Sequence, residues 1–139
     1  MWNIIRERDD ITELMQCFGN FEGSCLCDVK YVSGAFVGTV SDHFINDERS
    51  LVLTFQRRSL GDVQTVELRF SSLKSFKLEP LGAGMECYLT SAYAKIENGT
   101  VFFSTWDDLD TMNADSGIVL VNAGSLMWRD ISDVVQYTA

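Results

Sequence analysis

The side chains of this 139-residue chain that could do chemistry are few and scattered. Its single histidine, His43, follows Ser41 and Asp42. A nucleophilic triad needs a base oriented by a carboxylate and aimed at the hydroxyl, and adjacency in sequence supplies none of that geometry. His43 therefore reads as a loop histidine. The acidic cluster Asp107, Asp108, Asp110 and Asp115 suggests calcium, but a loop counted from Asp108 has Met112 at position 5 and Asn113 at position 6. An EF-hand needs an oxygen ligand and a glycine there. Of the four cysteines, Cys17, Cys25, Cys27 and Cys87, only Cys25 and Cys27 are close in sequence, so no pair of ligand pairs for zinc is present. Gly82 and Gly84 begin a dinucleotide-type pattern that Cys87 breaks, and no Walker-type glycine loop occurs. Carboxylate pairs for glycoside chemistry are defined by spatial separation, so the abundance of acids only keeps an enzyme as the third-ranked function. The sequence assigns no catalytic residue, no metal and no cofactor.

Charge bounds the partners. Twenty acids against eleven bases give a net charge of −9, a field that repels nucleic acid phosphates and anionic membrane surfaces. The charge is uneven: residues 49–77 carry six bases and two acids, and residues 96–139 carry seven acids and one base. The bland account is two solvated faces; the sharper one makes the acidic loop Asp107, Asp108, Asp110 and Asp115 the contact for a basic protein partner, with the Arg57-Arg58 region outside the functional surface. The N-terminal residues show neither a basic start nor a long apolar stretch, so the expectation is a cytoplasmic protein with reduced, buried cysteines acting as small hydrophobes.

The elements that must position these groups are mostly strands. Ile11, Leu14, Met15 and Phe18 fall on one face of a 3.6-residue period, which predicts a helix over 10–18 capped by Asp10 with Glu13 three residues on, and ended by Gly19. Beyond it the period becomes two. Cys25, Cys27, Val29 and Tyr31 are expected inward, as are Leu51, Leu53 and Phe55, then Val66, Leu68 and Phe70, with Thr65, Glu67 and Arg69 outward. Ser75–Leu78 reads as a further strand closed by Pro80. Turns are expected at Ser59–Asp62 and at Asn98-Gly99, where both residues accept positive φ. The strand 100–106 is apolar on both faces. The last two short strands, 118–121 and 126–128, are joined at Ala123-Gly124. Trp2, Trp106, Trp128 and the nine phenylalanines read chiefly as core. The result is a single domain over 1–139, mainly β: an antiparallel sandwich or partly open barrel with one N-terminal helix.

One segment resembles a known group. Phe21-Glu22-Gly23-Ser24-Cys25, the run Asp28 to Val37 with its Tyr31-Val32-Ser33-Gly34-Ala35-Phe36-Val37, and Leu51 to Arg57 resemble an uncharacterised bacterial family with a Phe-His-Asp-Ser-Cys start and a Tyr-Val-Ser-Gly-Ala-Tyr-Val run. That start is in turn similar to small β-rich toxin-immunity proteins. The resemblance covers about residues 20–80, and Glu22 and Gly23 stand where the His-Asp pair would be, so no role of that pair is carried over. With the charge, it implies a non-enzymatic binding protein, an immunity-type inhibitor of a basic toxin. The alternative is a small-ligand-binding β-barrel, followed by a carboxylate-based enzyme.

Overall fold

The computed structural model describes residues 1–39, 43–45, 48–79, 88–89, 91–105 and 119–133. The acidic loop residues Asp107, Asp108, Asp110 and Asp115 lie outside them, as do Cys87, Trp106, Ser41 and Asp42.

The helix α1 (Arg8–Cys17) begins two residues earlier than the sequence pattern predicts. The Asp10 carboxylate oxygen Oδ2 accepts from the amides of Arg6 and Glu7 at 2.8 and 3.0 Å, so Asp10 closes a capping box from inside the first turn and Glu7 takes the cap position. The apolar face is the expected one: Ile11, Leu14 and Phe18 are buried and Met15 packs beside them. Gly19 follows at φ +59°, and the Arg57 guanidinium fills the space a β-carbon there would need. Arg57 lies over the Phe18 ring, and Arg57 and Gln64 donate to the Cys17 carbonyl at 3.5 and 3.2 Å. They satisfy an acceptor that the end of a helix leaves open.

The strands are β1 (Asn3–Ile5), β2 (Cys25–Val32), β3 (Ala35–Val37), β4 (His43–Ile45), β5 (Ser50–Ser59), β6 (Asp62–Leu78), β7 (Tyr93–Glu97), β8 (Thr100–Ser104) and β9 (Val119–Asp130). Seven form one antiparallel sheet in the order β2-β5-β6-β9-β8-β7, with β1 also on β9. β3 and β4 make a small separate ribbon. The class is thus the expected one, mainly β with one helix, and the sheet does not close into a barrel. One edge of β9 is divided: Leu126–Trp128 pair with β1 and Leu120–Ala123 with β8. Both expected tight turns are present, with positive φ at Leu60 and Gly61 and at Asn98 and Gly99. Among the described residues, no helix is long and apolar enough to cross a membrane.

One face of the sheet carries the core. Leu51, Leu53, Phe55, Val66, Leu68 and Phe70 are all 1% exposed or less. Phe21 sits at the centre, 4.8, 5.0 and 5.5 Å from the rings of Phe18, Phe55 and Phe103. Each such ring contributes about 1.5–3 kcal/mol by leaving water. Thr65 departs from the expected alternation and is buried: the segment after β9 folds over it, Ser132 Oγ accepting from its amide and Ile131 donating to its carbonyl. β2 departs as well. A register shift between Leu26 and Asp28 turns Leu26 onto the core and leaves Cys27 exposed. The expected burial of the cysteines is therefore corrected: Cys17 and Cys27 are exposed and Cys25 is half-buried.

Candidate functional site

The other face of β2, β5, β6 and β9 is an open groove of about 630 Å³. Its residues follow from the two-residue period and the register. Lys30, Val52 and Arg69 lie in one cross-strand row. Glu67 and Arg129 lie in the next, beside the buried Thr54, and Val32, Ser50 and Ser71 in a third. Arg49 and Glu48 enter just before β5, and Trp2 enters just before β1.

The charges in this groove are of two kinds. Glu67 is half-buried and accepts from Arg129 Nε at 3.0 Å, while Nη2 of the same guanidinium stands 2.9 Å from the same carboxylate oxygen. The Arg129 guanidinium also lies over the Trp2 ring, 4.3 Å from its centroid. This arginine is fixed and internally balanced. Lys30, Arg49 and Arg69 are not: among the described residues none of them forms an ion pair. The side chains of Ser50, Ser71 and Ser72 likewise make no hydrogen bond among the described residues.

Local backbone geometry shapes the floor. Ser72 adopts φ +51° in the middle of the seventeen-residue β6. A left-handed serine in a strand is uncommon, and such positions cluster where function requires them. The bracketing pairs Ser71–Ser125 and Leu73–Ala123 place Gly124 across from it, where a β-carbon would stand 2.8 Å from that of Ser72. Both strands change the parity of their buried side chains here: Phe70 gives way to Leu73 on β6, and Ala123 to Leu126 on β9. The Leu73 amide donates to the Arg49 carbonyl at 3.4 Å, tying the approach to β5 to this kink. Ala123-Gly124, expected as a turn, is mid-strand, and the glycine serves close approach.

Chemically the groove offers cationic forks and hydroxyl donors to an acceptor-rich group. Among the described residues no histidine or cysteine lines it. His43 sits exposed on β4, paired with Val37 across the small ribbon. Among the described residues no group of three or more His, Cys, Asp or Glu side chains could hold a metal ion. Two titrating groups sit at the helix end, away from the groove. Burial first, and then the Asp130 charge, hold the Cys17 thiol above its ordinary value. Burial pushes the Asp130 carboxyl up, but hydrogen bonds from the Ser132 hydroxyl, the Ser132 amide and Gln64 outweigh it, and the net is below the ordinary range.

The groove was not expected from sequence. Its signal was the base-rich segment 49–77, which supplies Arg49 and Arg69, together with Arg129, the lone base among the acids of the C-terminal third. Arg57, in the same segment, turns out to serve the helix end and not the groove. Comparison with protein-family models, with curated proteins and with solved structures finds no match.

Proposed function

We propose that this protein is a non-enzymatic binding module that holds an anionic group of its ligand on the polar face of β2, β5 and β6. The observation that carries the reading is the set of three cations, Lys30, Arg49 and Arg69, that form no ion pair among the described residues and are gathered in one groove of a chain whose net charge is −9. An acidic chain gains nothing for solubility by gathering cations, and exposed like charges this close repel one another. A bound anion relieves that repulsion. The sheet is open, which supports a ligand site on an exterior face and not in the lumen of a barrel. The test is an amide chemical-shift titration with sodium sulfate at constant ionic strength. The expected result is saturable shifts at Lys30, Arg69 and Ser71 that vanish in the variant Lys30→Gln/Arg49→Gln/Arg69→Gln. Shifts spread evenly over the surface, or unchanged in that variant, would remove the reading.

A second reading keeps the acidic loop as the contact for a basic protein, of the immunity-inhibitor kind. Its support is the count of seven acids to one base over residues 96–139. The variant Asp107→Asn/Asp108→Asn/Asp110→Asn then associates more slowly with that partner and with a flatter salt dependence, because steering by charge is lost. An unchanged rate and salt slope would sink it.

A further inference from the structure

We infer that the ligand group in this groove is a dianionic, tetrahedral oxyanion, a phosphomonoester carried on a small organic body. The inference rests on the anion-binding reading above and narrows it. The first argument is charge. Among the described residues the groove is lined by four cations, Lys30, Arg49, Arg69 and Arg129, and two acids, Glu48 and Glu67, a net of +2. Arg129 is already held by Glu67 and Trp2, which leaves Lys30, Arg49 and Arg69, without an ion pair among the described residues, on the β2, β5 and β6 side. One carboxylate would leave half of the net charge unanswered. A phosphomonoester near neutral pH carries close to two negative charges.

The second argument is the donor set. Lys30, Arg49 and Arg69 bring ammonium and guanidinium donors, and Ser50, Ser71 and Ser72 bring three hydroxyls that no described residue engages. A planar carboxylate presents two oxygens. A phosphomonoester presents three terminal oxygens, each able to accept more than one hydrogen bond, and so uses donors arriving from several strands. Ser50 and Ser71 are direct cross-strand partners, with Arg69 two residues from Ser71 on the same face. Ser72 joins them because its left-handed backbone turns it off the core side, where strict alternation from Phe70 would have put it. Gly124 makes the room.

The third argument is size. A groove of about 630 Å³ falls within the range of small-molecule sites and exceeds what a bare oxyanion occupies. Val32 and Val52 supply apolar lining for the remainder of the ligand. A nucleic acid polymer is disfavoured by the net charge of −9, which acts over the whole molecule while the cations act only locally.

Three probes that share a phenyl body separate charge from shape at pH 7.5: phenyl phosphate, its methyl diester, and benzoate. Binding is followed by amide shifts at Lys30, Arg69 and Ser71. The expected order is monoester, then diester, then benzoate, with the monoester at least tenfold tighter than benzoate. The variant Ser71→Ala/Ser72→Ala should weaken the monoester several-fold and leave benzoate within twofold. Benzoate binding as tightly as the monoester, with both lost in Lys30→Gln/Arg49→Gln/Arg69→Gln, would overturn the phosphomonoester assignment and keep the anion groove. Failure of all three probes to shift these residues would overturn both. A phosphoserine heptapeptide more than tenfold tighter than phenyl phosphate would overturn the small-body assignment in favour of a phosphorylated protein.

Discussion

Leu68 and Arg69 are neighbours on β6 and answer to different constraints. Leu68 is fully buried in the core, while Arg69 stands on a face where three cations form no ion pair and three hydroxyls make no hydrogen bond among the described residues. The packed face follows from the hydrophobic effect acting on a two-residue period. The polar face, on the same strands, is held by Arg129 with Glu67 and Trp2 at one side, and Lys30, Arg49 and Arg69 form no ion pair among the described residues. Under the proposed anion-binding reading, stability and recognition fall on opposite sides of one sheet, and each side should be separately breakable.

The largest effect is expected on the packed side. Phe55→Ala removes a buried ring in contact with Phe21 and Phe103 and should cost about 3–5 kcal/mol in urea unfolding. Arg69→Gln, on the other face of the neighbouring strand β6, should stay within about 0.5 kcal/mol of the parent. Comparable losses for the two would erase the distinction.

The next test addresses the kink at which the two faces meet. Gly124→Ala puts a β-carbon against that of Ser72 and should cost about 1–3 kcal/mol. Adding Ser72→Gly deletes the opposing atom and suits the left-handed φ, so the double variant should recover most of the loss. If the two effects simply add, the contact is not what fixes Gly124.

Smaller effects are expected where the helix end meets β5 and β6. Arg57→Ala should cost about 1 kcal/mol through lost packing on Phe18 and a lost donor to the Cys17 carbonyl, with ligand binding unchanged. The smallest effects involve titration. Because the folded Asp130 carboxyl sits below its unfolded range, its stabilisation is complete above that range and is lost as pH falls through the folded value. Asp130→Asn should therefore narrow the stability gap between pH 6 and acid, slightly, since the group is largely exposed. The same change removes a negative charge beside Cys17 and should speed its alkylation at pH 8, where the parent thiol reacts slowly for an exposed cysteine.

The legible part of the sequence was the packed face. Alternation through Val66, Leu68 and Phe70, the helix stripe of Ile11, Leu14 and Phe18, and the Asn98-Gly99 turn all report one local rule each. The errors came where tertiary contacts decide. Thr65 is buried because residues 131–132 return across it, Leu26 turns inward through a bulge, and Gly124 serves a neighbouring strand where its composition suggested a turn. The groove was hidden for the same reason. Lys30, Arg49 and Arg69 are nearly forty residues apart from first to last, and only the β2–β5–β6 register brings them together.

The central claim, that recognition lies on the polar face and stability on the other, is tested most directly by melting temperature against phenyl phosphate concentration. The parent and Lys30→Gln/Arg49→Gln/Arg69→Gln are compared side by side. A ligand that binds only the folded state adds about 1.4 kcal/mol at ten times its dissociation constant, a rise of about 4 °C for a domain of this size. The account predicts that the parent climbs in this way, while the triple variant melts within about 3 °C of the ligand-free parent and does not respond. A triple variant that responds equally, or one that is grossly destabilised without ligand, would contradict it.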